Sequence, residues 1–404
     1  MATGNEEFRD AMVRHQIALL RLSGSINQRI IQLLDATEKD IRATIERMLE
    51  DIVTPGGVDM ARARTLTRLD NLQRSIYEIR QGAVREALDE WTNQFRALMV
   101  AETGITSAHL INASPVILDI LTPSPALLRS LVTTLPFQGQ IMKDWAQQLL
   151  DADVQRIMNE IRIGMVQGQS TREIARRIVG TAMLDGADGT TQITRNQAAA
   201  ITRTAISAFS NAAREEFFTQ NASIFEEEAF VATLDSRTTL QCASLDGQTF
   251  KVGEGPKPPL HWNCRSLRVA FMSAALVGTR PMKPTTEKML LKEFTEQEGL
   301  DKVSSRDDLP YGMKGKFDEF ARRRVRELVG PVPASTSFSK FLKSQSAEFQ
   351  TEYLGKTRAD LFRKGELELD RFVNPKGQPW TLEQLVLRES EAFKKAGLNP
   401  SDFL

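Results

Sequence analysis

The sequence predicts a mainly α-helical protein with a long N-terminal helical hairpin, a helical middle domain that carries a small antiparallel β insertion, and an α+β C-terminal unit. Three observations support this. Apolar residues recur at helical spacing over residues 10–51 and 66–98, turn-forming residues concentrate between residues 233 and 268, and aromatic residues make up 7% of the chain against 26% charged residues. Such a composition suits amphipathic helices better than a dense β-sandwich. A chain of 404 residues has room for two or three domains, which we place at 1–135, 136–275 and 276–404.

The N-terminal hairpin is predicted from two apolar stripes, each with the period of one helical face. The first stripe runs through Val13, Ile17, Leu20, Ile30, Leu34, Ile41, Ile45 and Met48, and the second through Leu66, Leu69, Leu72, Ile76, Ile79, Val84, Leu88, Trp91, Phe95 and Leu98. The run Thr54-Pro55-Gly56-Gly57 breaks the helix between them. Two long helices joined by a short turn should pack antiparallel, with both stripes in a core.

The middle domain is predicted to begin with helices. Residues 103–137 lose the helical periodicity and read as a proline-containing connector, after which an apolar face resumes near Ile141. Ser170 and Glu173 form a capping-box signature that should start a further helix ending near Gly180. Residues 191–218 predict an alanine-rich helix whose small residues permit close approach of a neighbouring helix.

The β insertion is predicted over residues 233–268, with strands expected at residues 230–234, 249–252 and 267–271. Asp246-Gly247 is a turn signal between the first two strands, because glycine readily adopts the positive φ that a tight hairpin requires. We therefore predict that the first two strands form a hairpin and that the small sheet lies on the helices.

The insertion also gathers three side chains that can bind a soft divalent metal. Cys242, His261 and Cys264 lie on two turn-rich arms, which is the layout of a zinc knuckle. A closed structural zinc site needs four ligands, so Asp235 or Asp246 is a candidate for the fourth. The alternative is that no metal binds, and that two inert buried cysteines and a hydrogen-bonded histidine are held by packing.

Charged residues in and after the insertion suggest two further roles. Asp235, Arg237, Thr238 and Arg265 are expected to form a structural ion-pair network that orders the loops. Candidate contacts to nucleic acid are Arg268, Arg322, Arg323 and Arg324. The chain has 52 Lys and Arg against 52 Asp and Glu, so its zero net charge argues against a dedicated nucleic-acid-binding protein. A charged helix face is also commonly just a solvated one.

The ordered pattern in this stretch resembles the phage minor head proteins of the head-morphogenesis family, typified by protein F of phage Mu. The matching positions are Asp235, Arg237, Thr238, Cys242, Leu245, Gly247, Pro258, Pro259, His261, Cys264 and Arg265. Members of that family usually carry a Cys-x-x-Cys pair, and this chain has Thr239 in place of the first cysteine. The resemblance extends upstream to about Asp151 and downstream to Gly365.

The resemblance implies a minor structural or assembly protein of a tailed-phage head, acting in head morphogenesis and in DNA packaging or ejection. Its expected partners are the portal protein and the major capsid or scaffolding protein, with contact to DNA and none to a membrane. The expected location is the virion, at the capsid interior or portal vertex, and the host cytoplasm during assembly. The acidic N-terminal residues, which do not suit a secretory signal, agree with this.

Two other classes of function remain open. One is an enzyme, such as a metal-dependent nuclease or a toxin-like activity injected with phage DNA, with His261 as acid or base. The sequence has no HExxH motif and no phosphate-cradling glycine loop, so an enzyme is not the preferred interpretation and no catalytic residue is assigned. The other is a plain nucleic-acid-binding module that presents Arg237, Arg265 and Arg268 to a phosphate backbone.

Overall fold

The computed structural model describes residues 4–50, 53–54, 57–58, 66–114, 118–184, 186–225, 227–271, 279–301, 303–333 and 336–404. The fold is mainly helical with small antiparallel sheets, as predicted. None of the helices within these ranges combines the length and the apolar character needed to cross a membrane.

The N-terminal hairpin consists of α1 (Gly4–Asp35) and α2 (Glu38–Leu49), a two-stranded ribbon of β1 (Val53–Thr54) and β2 (Gly57–Val58), and α3 (Leu66–Ala113). α1 and α3 are antiparallel, because His15 contacts Glu102 and Arg29 contacts Glu90. The first predicted helix is in fact two helices.

The second predicted helix continues beyond Leu98 to Ala113. The apolar stripe is interrupted after Met99 because polar residues occupy the inner face before Leu110 and Ala113, which are buried again. Glu102, Thr103 and Thr106 are all buried there. His109 consequently lies on α3 and not in a connector, which was predicted to start at residue 103.

The helices that follow are α4 (Pro125–Thr134), α5 (Met142–Val166), α6 (Thr171–Val179) and α7 (Thr191–Gln220). The capping box that starts α6 is present, with Ser170 and Glu173 bonded reciprocally. α7 packs closely on α3, since Ala198 and Ala205 are completely buried and Trp91 Nε1 donates to Thr202 Oγ1 at 2.8 Å. One apolar core runs from Leu19 to Ala213, so α1–α3 and the later helices are packed as one body.

The small sheet has β3 (Glu227–Val231) in the centre, with β4 (Thr249–Lys251) and β5 (Leu267–Phe271) antiparallel on either side. A short helix, α8 (Leu240–Leu245), lies between β3 and β4. The predicted tight hairpin is therefore wrong, although Gly247 does adopt a positive φ of 84° in the turn before β4. The first strand also lies earlier than predicted, at 227–231 instead of 230–234.

The C-terminal part has the predicted α+β character. β6 (Thr279–Met282) pairs with β7 (Gly330–Pro333), and α9 (Glu287–Glu298) and α10 (Met313–Leu328) lie between them in the chain. α11 (Phe338–Lys343), α12 (Ala347–Leu354), α13 (Lys356–Arg363) and α14 (Leu382–Lys395) follow. Their aromatic core includes Leu234 and Ala243 from the insertion, so these helices pack directly against it.

Candidate metal centre

The structure brings Cys242, His261 and Cys264 together. Cys242 lies on α8, whereas His261 and Cys264 lie on the loop between β4 and β5. The Cys242 Sγ atom is 3.2 Å from His261 Nε2 and 3.8 Å from Cys264 Sγ, and the three donor atoms lie within 4.8 Å of one another. Both cysteines are buried and the histidine is half-buried. These three residues could hold a metal ion.

The ring of His261 is oriented for binding through Nε2. Its Nδ1 atom lies 2.9 Å from the carbonyl oxygen of Trp262. Because a carbonyl can only accept a hydrogen bond, Nδ1 carries the hydrogen and the lone pair of the neutral ring is on Nε2, facing the thiols. Histidines that bind metals commonly donate their other N–H to a carbonyl in this way, so the tautomer fits a metal site.

The electrostatics of the cysteine pair also fit a cation. The hydrogen bond from Cys242 and the contact with His261 lower the pKa of the Cys264 thiol, against the opposing effect of burial. The same hydrogen bond and burial raise the pKa of Cys242. The contact with Cys264 raises the pKa of His261. The cluster thus favours one thiolate, and thiolate with imidazole is a donor set that suits zinc.

Asp235, the candidate fourth ligand, is engaged elsewhere and is not part of the donor group. Its carboxylate accepts two bonds from Arg265, Nη1 to Oδ2 at 2.5 Å and Nη2 to Oδ1 at 2.7 Å, and a third from the Arg237 amide at 3.0 Å. Burial would raise the pKa of Asp235, but the hydrogen bonds and charge of Arg265, with Arg237, hold it below its ordinary value. Thr238 contacts the same carboxylate at 3.5 Å and donates to the Thr233 carbonyl.

Asp246, the other candidate ligand, joins two parts of the molecule. Its Oδ1 accepts from the Ala232 amide at 2.7 Å and its Oδ2 accepts from the Phe338 amide at 2.8 Å. The side chain is buried, and it connects the end of β3 to the start of α11. The sequence analysis predicted this residue as a turn former and a candidate metal ligand, and nothing local to it indicates the partner 92 residues away.

Thr239 occupies the position of the missing cysteine and has a local structural role. It is the N-cap of α8, and its hydroxyl accepts from the amide of Cys242 at 3.3 Å. Threonine is a favourable N-cap residue, so a search of the sequence for helix N-caps could have predicted that α8 begins here.

The four predicted nucleic-acid contacts divide into two pairs. Arg268 is buried, and its guanidinium pairs with Glu228 across β3 and β5. This arginine is therefore not available to contact nucleic acid. Arg324 is occupied by Glu293 and Glu327. Arg322 and Arg323 are exposed on α10. Within the part of the chain that is described, neither has an ion-pair partner.

Arg237, which the sequence analysis placed in the structural network, is exposed on the segment between β3 and α8. The amide of Arg237 binds Asp235, but its guanidinium makes no ion pair with any described residue. Lys283 lies nearby, since burial and then the charge of Arg237 lower its pKa. Lys283 also lines a cavity of about 640 Å³ together with Arg322. Arg237, Lys283 and Arg322 are thus a series of cationic residues that runs from the insertion to α10.

One comparison with known proteins finds a match over the segment that contains this site. Residues 155–268 match the family model described as phage Mu protein F like protein. The matched segment runs from within α5 to β5 and contains all three donor residues together with Asp235 and Arg265. No curated protein and no solved structure matches the chain. The family match supports the resemblance found in the sequence, and it suggests a phage head morphogenesis protein.

Proposed function

From the phage Mu protein F-like segment at residues 155–268, we propose that the protein is a minor structural component of a tailed-phage head that acts in head morphogenesis. The family match is the observation that carries this proposal. The role is one of assembly and not of catalysis. The proposed partners are the portal protein and the major capsid or scaffolding protein, and the proposed location is the capsid interior or portal vertex of the virion.

The contacts of the family motif agree with a structural role. On one side of the insertion, the Asn263 amide donates to Thr204 on α7 at 2.9 Å, and Trp262 packs edge-on against Trp145 on α5 with ring centroids 4.8 Å apart. On the other side, the Tyr353 hydroxyl on α12 donates to the Thr238 carbonyl at 2.7 Å. Motif residues thus join the helical bundle to the C-terminal helices.

Loss of the protein is expected to stop the formation of infectious heads. In the phage or prophage that encodes it, deletion of the gene should leave few DNA-filled heads in electron micrographs of lysates, and a plasmid copy should restore them. Mass spectrometry of purified virions and proheads should detect the protein at low copy number. The proposal is wrong if the protein is absent from both particles and deletion leaves head assembly and DNA delivery intact.

We further propose that the protein contacts DNA through the exposed cations Arg237, Arg322 and Arg323. Each is exposed and lacks an ion-pair partner among the described residues, so a phosphate could bind without displacing a carboxylate. Acidic side chains limit the affinity, because Glu287 and Asp318 line the cavity that Lys283 and Arg322 share. Binding is therefore expected to be weak, independent of DNA sequence and strongly dependent on salt.

Changing Arg237, Arg322 and Arg323 together to alanine is expected to weaken binding of a generic DNA duplex, because each lost phosphate contact reduces counterion release. The slope of log K against log salt should fall by roughly 2 to 3 in magnitude. Fluorescence anisotropy at several salt concentrations would measure both quantities. Arg14, Arg29 and Lys394 are exposed cations outside this surface, and their triple alanine variant is the charge-matched control. If the two triple variants weakened DNA binding equally, DNA binding would not depend on a defined surface that contains Arg237, Arg322 and Arg323.

A further inference from the structure

We propose that Cys242 and Cys264 are a site of reversible oxidative modification, at which a small peroxide joins the two thiols in a disulfide. The proposal goes beyond the role in head assembly and does not depend on it. The chain has two cysteines in all, and both are free and buried. Any change in the thiol content of the protein therefore reports on this one pair.

The two sulfur atoms are already close together. Cys242 Sγ lies 3.8 Å from Cys264 Sγ, and the bond in a disulfide is about 2 Å long, so the sulfurs must approach by about 2 Å. One thiol lies on α8 and the other on the loop between β4 and β5, 22 residues further along the chain. Rotation of the two side chains and a small shift of the loop can close a gap of this size.

The surroundings of the pair suit an uncharged bridge that a small oxidant can reach. The pair lies in an apolar cluster whose other members are Phe230, Ala232, Leu245, Phe250 and Leu260. A disulfide carries no charge and no hydrogen-bond donor, so its burial there costs less than that of a thiolate. His261 contacts the Cys242 sulfur and is itself half-buried, so one side chain separates this sulfur from solvent.

The reaction is a two-electron oxidation of the thiols in which hydrogen peroxide is reduced. The thiolate of Cys264 attacks one peroxide oxygen, the O–O bond breaks, and a sulfenic acid and hydroxide form. The Cys242 thiol then gives its proton to His261 Nε2, which lies 3.2 Å from its sulfur, and attacks the Cys264 sulfur. The S–O bond breaks and a second hydroxide leaves. The two hydroxides take up the two thiol protons, so the products are one disulfide and two water molecules.

The disulfide would join two connections of the insertion covalently. The arm that leads into α8 is held to the C-terminal helices, because the Tyr353 hydroxyl donates to the Thr238 carbonyl. The loop between β4 and β5 is held to the helical bundle, because the Asn263 amide donates to Thr204. Oxidation would therefore fix the insertion between the bundle and the C-terminal helices, and reduction would release it.

Peroxide treatment of the purified full chain tests the proposal. The protein is first treated with a chelator, so that no metal occupies the sulfurs, and is then digested with trypsin under non-reducing conditions. Mass spectrometry should find the peptide 238–251 linked to the peptide 252–265, with a mass about 2 Da below the sum of the two peptides. Dithiothreitol should separate them. In Cys242→Ser and Cys264→Ser, no such linked pair should form within one chain.

The role of His261 is tested by the rate of the same reaction. His261→Asn retains a polar side chain but removes the proton acceptor, so linkage of the two peptides should be slower by about tenfold or more. An unchanged rate would overturn the role of His261. The proposal as a whole is overturned if the wild-type cysteines stay reduced, stop at sulfinic or sulfonic acids, or link only between chains. None of these outcomes bears on head assembly, which the gene deletion tests separately.

Discussion

Replacing Glu102 with alanine is expected to lower the free energy of unfolding by about 3–5 kcal/mol, because it leaves a buried charge without its counterion. Glu102 and Arg214 are both almost completely buried, and Glu102 Oε1 lies 3.3 Å from Arg214 Nη1. The second carboxylate oxygen lies 2.7 Å from His15 Nε2. These three residues come from α3, α7 and α1, so the ion-pair network joins three helices of the core.

Chemical denaturation followed by circular dichroism would measure this loss. Glu90→Ala is the matched control on the same helix. Glu90 pairs with Arg29, whose side chain is 63% exposed, and such surface pairs contribute at most about 1 kcal/mol. The double variant Glu102→Leu with Arg214→Met should recover part of the stability, since it removes both charges. A loss for Glu102→Ala no larger than that for Glu90→Ala would show that the network contributes little to stability.

Replacing Asp246 with alanine is expected to cost roughly 2–6 kcal/mol and to detach the C-terminal helices from the insertion. The variant leaves the amides of Ala232 and Phe338 without an acceptor, and each unsatisfied buried amide costs about 1–3 kcal/mol. Limited proteolysis should then cut more readily near the start of α11. Hydrogen exchange should show loss of protection at both amides.

Asp246→Asn is the control for this prediction. Its single carbonyl oxygen can serve one of the two amides, so the loss of stability should be intermediate. Metal content should be unchanged in both variants, because Asp246 is not in the donor group. Loss of metal from Asp246→Asn without loss of protection at Phe338 would instead make this carboxylate a metal ligand.

Features of the fold could be predicted from the sequence where they depend on residues that are close together in the chain. The stripe of α3, the capping box at Ser170 and the positive φ at Gly247 each depend on residues within a turn or two of one another. The break between α1 and α2 could not be predicted in this way. Arg80 on α3 donates to the Leu34 carbonyl at 2.5 Å and to Thr37 Oγ1 at 2.6 Å, so a distant side chain stabilises the break.

The candidate site shows the same difference between features that depend on nearby residues and features that depend on distant ones. The three candidate donors and the resemblance to phage Mu protein F could be read from the sequence by itself, because thiols and an imidazole at knuckle spacing form a pattern along the chain. Only the tertiary structure decided that Asp235 and Asp246 serve other partners and that Arg268 is buried against Glu228. The physical reason is that a carboxylate or guanidinium takes its role from the nearest opposite charge or free amide, and in these cases folding brings that partner from 14 to 92 residues away.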